Sequence, residues 1–372
     1  MTDEPCVRFE RLSGPSGKSV GVACLNSEKS LHSLNIAMIR LLYPQLRAWA
    51  LDDSVAAVFL HATGEKAFCA GGDVKSICIA VRANGVEDPT AFDLFSAEYR
   101  LDFLIHDFPK PIIVWGTGIV MGGGIGLMCG ASHRVVTETS RLAMPEISIG
   151  LYPDVGGSWF LGRLGKIGLF LGLTGASFNA ADALHTGFAT HAVPSGRRLE
   201  FLQVLSSLAW SAESVQHHRQ VSELLQSLSL TDMAEGQITP VAAAIDERMA
   251  HEKLSDLHQA LINPHENPWL DKAARNLRSG SPTSAALIYR QWHNGRTQSL
   301  ADTFRQELVL SVQCARHPDF IEGVRALLVD KDQQPRWSPA TLEEVTEDWL
   351  DQHYIAPWQG EHPLSQLENW RS

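Results

Sequence analysis

The sequence predicts an α/β fold with short strands in its first half and helices in its second, on three observations. Short β-branched runs at residues 55–60, 112–115 and 134–137 alternate with Gly-rich turns and helix-like segments. Near residue 195 the glycines thin out. Beyond it apolar residues recur three and four apart, the spacing that gathers them on one face of a helix.

Taken in order, VAAVFL at 55–60 leads to the turn KAFCAGGDV at 66–74, and IIVW at 112–115 leads to GTGIVMGGGIGLMCG at 116–130. RVVT at 134–137 precedes MPEISIGLYPDVGGSWFL at 144–161. Helices are expected from LEFLQVLSSLAW at 199–210, PVAAAIDERMAHEKLSDLHQALI at 240–262 and LADTFRQELVLSVQCA at 300–315. The stretches VPSGRR (193–198), NPHENPW (263–269) and RSGSPTS (278–284) are rich in residues that end elements. Two regions follow: 1–195 as the strand-bearing core with the site, and 196–372 as a helical C-terminal region.

A chain of 372 residues with 44% hydrophobic and 20% charged residues can bury a large core. No window has the apolar length that spans a bilayer, so no membrane partner is expected. The net charge of -11 argues against a nucleic-acid partner, because duplex binding rests on Lys and Arg neutralising phosphates. Six cysteines without a C-x-x-C pair read as thiols in a reducing compartment. The opening MTDEPCVRFERLSG has neither a secretory apolar core nor the acid-poor, Arg-rich character of a mitochondrial presequence, so a cytoplasmic location is expected.

Several chemistries lose support by their missing motifs. There is no G-x-S-x-G nucleophile elbow, no P-loop, and no G-x-G-x-x-G where the glycines crowd. His217 with His218, and His185 with His191, lack complementary ligands at metal-binding spacing, so no metal is expected.

What stands out is two glycine clusters and two acids. As plain structure, the clusters are tight turns, the second entering a helix. As chemistry, a backbone without side chains lets peptide N–H groups approach a ligand, and two converging on one oxygen make an oxyanion hole. Glu146 and Asp154 lie eight positions apart in an otherwise apolar, Gly- and Pro-rich run. Alone, such acids would be read as a helix start and a turn cap.

Together, KAFCAGGDV, GGGIGL, MPEISIGLYPDVGGSWFL and DFIEGVRALLVDKDQQPRW resemble the crotonase (enoyl-CoA hydratase/isomerase) superfamily, over nearly the whole chain. The PE…PDVGG segment and EGVRALLVDKD resemble its 3-hydroxyisobutyryl-CoA hydrolase branch. The resemblance implies a crotonase-like (ClpP/crotonase) α/β core of repeated ββα units followed by helices. It also implies an acyl-CoA substrate whose thioester oxygen sits between the N–H groups of Gly72 and Gly123. Hydratases of the superfamily carry one catalytic Glu where this chain has Gly126 and a second at the position of Glu146. Asp154 stands where hydratases usually have Gly, as in the hydrolase branch. The resemblance therefore implies Glu146 and Asp154 as the catalytic pair and Glu98 and Gly123 as substrate contacts.

The expected activity is hydrolysis of a short 3-hydroxyacyl-CoA, such as 3-hydroxyisobutyryl-CoA in valine breakdown, with Glu146 activating water or attacking directly. The alternatives are an enoyl-CoA hydratase or isomerase using Glu146 as its single base, and a silent acyl-CoA-binding protein. No cofactor beyond the CoA of the substrate is expected, and a homo-oligomer is possible. Lys29, Lys66 and Lys75 are candidates for the CoA phosphates. Cys69 reads as a small buried side chain rather than a nucleophile. Thr117 stands where relatives carry Asn or His, and its hydroxyl can supply part of the same hydrogen bonding.

Overall fold

The computed structural model describes residues 4–371. Its strands, in chain order, are β1 (Val7–Ser13), β2 (Ser19–Leu25), β3 (Val55–Ala62), β4 (Ala67–Cys69), β5 (Ile112–Gly116), β6 (Ile119–Met121), β7 (His133–Val136), β8 (Arg141–Ala143) and β9 (His191–Ala192). They form a six-stranded sheet, β1-β2-β3-β5-β7-β9, and a three-stranded sheet, β4-β6-β8. β1 pairs antiparallel with β2, and every other named pair is parallel. Parallel strands covered on both faces read as continuous apolar runs, which is why β3 and β5 show no polar alternation.

The two sheets arise from one repeated move. In β3–β4, β5–β6 and β7–β8 the first strand joins the large sheet and the second joins the small one. A helical element follows each pair: Val74–Asn84, Gly123–Cys129 and the short 3₁₀ turn Glu146–Ile149. These are the expected ββα units. Since β4, β6 and β8 are parallel neighbours, the segments leaving their carboxyl ends converge on one spot.

Beyond the turn at Ser195 the named elements are all helical. The stretch at 240–262 is two helices, Ala242–Arg248 and Leu254–Leu261, rather than one. Lys253 is extended between them, and Arg248 reaches the carbonyls of Leu261 and Asn263, folding the pair back on itself. Phe304, Leu308 and Phe320 from this half share one buried cluster with Leu34, Phe68 and Tyr99.

Candidate active site

The spot where the small sheet's strands end is a cavity of about 520 Å³. Gly72 follows β4, Gly122 and Gly123 follow β6, and Glu146 follows β8, and all four line it. Glu98 enters from the helix Thr90–His106, and Asp154 from the turn before the helix Gly157–Arg163. The sequence-predicted residues Gly72, Glu98, Gly123, Glu146 and Asp154 thus all meet in one place.

Gly72 pairs with Leu34 in an isolated parallel bridge in which Leu34 bonds the Gly71 carbonyl and the Asp73 N–H. That pattern turns the Gly72 N–H to the opposite side, without a backbone acceptor. Gly123 opens its helix, so its N–H has no partner within it. The two amides adjoin, since a Cβ added to Gly123 would lie 3.1 Å from the Gly72 nitrogen and would collide with Glu98 Oε1. Gly122, at φ +49°, passes so near Glu146 that a Cβ there would sit 2.8 Å from Oε1. Only glycine serves here, for conformation and for space.

The three carboxyls are buried, with Glu98 2%, Glu146 4% and Asp154 5% exposed, and no basic side chain lines the cavity. Burial and the charge of Asp154 push Glu98 and Glu146 well above the usual carboxylate range. Burial raises Asp154 only to about 6, because the Tyr99 hydroxyl donates to it at 2.6 Å. Asp154 therefore ionises first and the other two hold protons. Environments that push like groups apart in this way create a base and an acid at one pH.

The Asp154 turn is held from behind. Val155 has φ +53° and Gly156 +84°, a conformation that costs a β-branched residue about 1–3 kcal/mol. Glu307, fully buried in the helix Leu300–Arg316, accepts the N–H groups of Gly156 (2.7 Å) and Ser158 (3.0 Å). Ser311, one turn further on, sits 2.6 Å from the Tyr99 hydroxyl and 2.9 Å from that of Tyr152.

Sequence reasoning missed these supports. The signal was present, as Glu307 falls on the apolar stripe of Ala301, Phe304, Leu308 and Ala315, where an acid needs a reason. Leu327 and Leu328, which wall the cavity, were legible only as part of a motif. They belong to the π-helical turn Arg325–Val329, held by ion pairs from Arg325 to Glu322, Asp330 and Asp332.

Other expectations are placed as follows. Cys69 is fully buried and its thiol is pushed up to about 12, so it is not a thiolate. The Thr117 hydroxyl bonds Thr137 and Thr139, tying the β5–β6 turn to the β7–β8 turn. Lys29, Lys66 and Lys75 are exposed, and Lys29 and Lys75 flank the cavity residues Ser30 and Val74.

A family model described as enoyl-CoA hydratase/isomerase matches residues 20–354. The chain belongs to that family. Among its curated relatives, "3-hydroxyisobutyryl-CoA hydrolase, mitochondrial" of Gallus gallus is 41% identical over 340 residues, covering 89% of this chain and 85% of the relative. The protein of the same name from Homo sapiens is 37% identical, covering 90% and 86%. Among solved structures, a carnitinyl-CoA dehydratase from Mycobacterium thermoresistibile superposes with a TM-score of 0.84 at 35% identity, covering 97% of this chain and 99% of that one. An enoyl-CoA hydratase from Rhodobacter sphaeroides gives 0.81 at 31% identity, covering 95% and 98%. This family member has no helix, among the described residues, long and apolar enough to cross a membrane.

Proposed function

We propose that the protein hydrolyses the thioester of 3-hydroxyisobutyryl-CoA, giving 3-hydroxyisobutyrate and free CoA, the chemistry that valine breakdown requires. Likeness over 89% and 90% of this chain to relatives bearing that hydrolase name supports the reading. The observation that carries it is at Gly126. A Cβ there would lie 2.6 Å from the Val155 Cβ, so the turn that presents Asp154 leaves no room for a second glutamate of the hydratase kind.

The thioester oxygen docks on the Gly72 and Gly123 N–H groups, each worth roughly 3–4 kcal/mol once the oxygen gains charge. Glu146 and Asp154 share one negative charge. Asp154 holds it at neutral pH and takes a proton from the attacking water, while protonated Glu146 returns one to the departing thiolate. This ordering favours direct attack by water over attack by the Glu146 carboxylate, because Glu146 is not the anion. Glu98 binds the 3-hydroxyl group beside the amide pair. Lys29 and Lys75 bind the CoA phosphates at the rim, and no cofactor beyond the substrate's CoA takes part.

All six cysteines are free thiols, which fits a reducing compartment. The cytoplasm is one such compartment, and so is the mitochondrial matrix, mitochondria being the site in the relatives' printed names. The test is thiol trapping with 3-hydroxyisobutyryl-CoA beside an enoyl-CoA of the same length. One thiol per substrate consumed supports hydrolysis. A double bond lost or moved without thiol release supports the lyase or isomerase alternative.

A further inference from the structure

The helix Thr90–His106 carries three titratable side chains one turn apart, Glu98, Asp102 and His106. Each faces a glycine of the neighbouring segment. Glu98 Oε1 abuts Gly123, Asp102 Oδ2 lies 3.1 Å from where a Gly126 Cβ would be, and His106 Cδ2 lies 2.7 Å from where a Gly130 Cβ would be. The two segments therefore meet along a close-packed seam with these polar groups on one side and glycines 123, 126 and 130 on the other. At one end Glu98 and Gly123 line the active cavity. At the other, about 12 Å along the helix axis, His106 and Gly130 line a second cavity of about 450 Å³.

The polar groups in the seam are orphans. Glu98 Oε1, both oxygens of Asp102 and His106 Nε2 are buried without a hydrogen-bond partner. Asp102 is fully buried with no basic partner, an arrangement that costs stability and that packing alone does not reward. Burial, and the neighbouring carboxyls of Glu98, Asp154 and Glu307, which oppose a further negative charge, raise Asp102 well above its usual range, so it holds a proton. Burial and Arg134 lower His106 to about 4, so its imidazole is neutral and keeps one nitrogen free to accept.

Hydrolysis of a thioester yields a thiol and a carboxylic acid, and at neutral pH that acid ionises, releasing one proton per turnover inside the cavity. We propose that Glu98, Asp102 and His106 form a relay that carries this proton to the second cavity. The product acid's proton restores Glu146, the proton that Asp154 took from water passes to one Glu98 oxygen, and the proton already on Glu98 passes through a bridging water to Asp102. Asp102 passes its own through a second bridging water to His106 Nε2, the proton on Nδ1 leaves to solvent, and the ring regains its starting tautomer by proton exchange with the solvent of the second cavity. Each group ends with as many protons as it began with. The proposal rests on the hydrolase reading.

The experiment compares the parent with Asp102→Asn and His106→Gln, by free-thiol release and by infrared difference spectroscopy. The relay predicts that each variant lowers steady-state kcat about tenfold or more, leaves KM within about twofold and keeps the first-turnover thiol release at the parent rate, and that added imidazole restores His106→Gln, whose position lines the second cavity, but not Asp102→Asn. It also predicts, in the parent at neutral pH, a protonated-carboxyl band that is lost in Asp102→Asn. A kcat within about twofold of the parent in either variant, or a His106→Gln loss that imidazole does not relieve, overturns the relay. So does an ionised Asp102. A parent that releases no thiol contradicts the hydrolase reading instead, and the infrared arm, which needs no turnover, still decides whether Asp102 holds the proton the relay requires.

Discussion

Tyr99 donates its hydroxyl to Asp154 Oδ2 across 2.6 Å, and Ser311 sits 2.6 Å from the same hydroxyl. This contact holds Asp154 at about 6, while Glu146 and Glu98 are pushed well above their usual range. Tyr99→Phe removes a donor to the charged form, so the Asp154 pKa rises further. The acid limb of the kcat/KM profile, near pH 6 in the parent, should move to higher pH in the variant. An unmoved limb would show that the titrating group is not Asp154.

The raised pKa of Asp154 also carries a stability signature. A carboxyl that binds its proton more tightly folded than unfolded favours the folded state at low pH, and that advantage is lost as pH rises from about 4 to about 6. The shift of about two units corresponds to about 2–3 kcal/mol. Between pH 4 and pH 7 the parent should lose about this much more unfolding free energy than Asp154→Asn. Denaturant unfolding at the two pH values measures it.

Glu307→Gln replaces a double acceptor with one acceptor and one donor, and its amide nitrogen must then face a backbone N–H. One hydrogen bond to the Asp154 turn is lost and a buried N–H is left unpaired, at about 1–3 kcal/mol, and Val155 is no longer held at positive φ. The variant should melt earlier and show a lower kcat with KM little changed. In an Asp154→Asn background the kcat effect should vanish, because Glu307 acts through Asp154.

Gly126→Ala places a methyl group 2.6 Å from the Val155 Cβ and 2.9 Å from its Cγ2. Overpacking of this kind costs about 1–3 kcal/mol and displaces the Asp154 turn. Melting temperature and thiol release should fall together. Gly126→Glu should behave worse and gain no hydration of an enoyl-CoA, in contrast to what the glutamate-for-glycine comparison with hydratases would suggest.

Much of the site was legible because its chemistry sits on chain punctuation. Glycines 72 and 123, the Pro-Glu pair at 146 and Asp154 stand out against apolar surroundings, and the fold gathers them because β4, β6 and β8 run parallel. Glu98 was harder. Its helix reads as amphipathic with an acid free to face water, but the helix is buried on most sides and Glu98 with it. Glu307 and Asp102 were hidden for a similar reason, since an acid on an apolar stripe shows its purpose only once its neighbours are placed. The break at 249–253 escaped because the apolar spacing continues across it, while the reversal is made by Arg248 bonding carbonyls more than ten residues away.

The central claim is that Glu146 and Asp154 act together on a thioester held by the Gly72 and Gly123 amides. Its most direct measurement is free-thiol release from 3-hydroxyisobutyryl-CoA by the parent, Glu146→Gln and Asp154→Asn, each checked for an unchanged melting profile at the assay pH. The account predicts stoichiometric thiol from the parent and a loss of roughly a hundredfold or more in each variant. Variants that hydrolyse within a few-fold of the parent would contradict it.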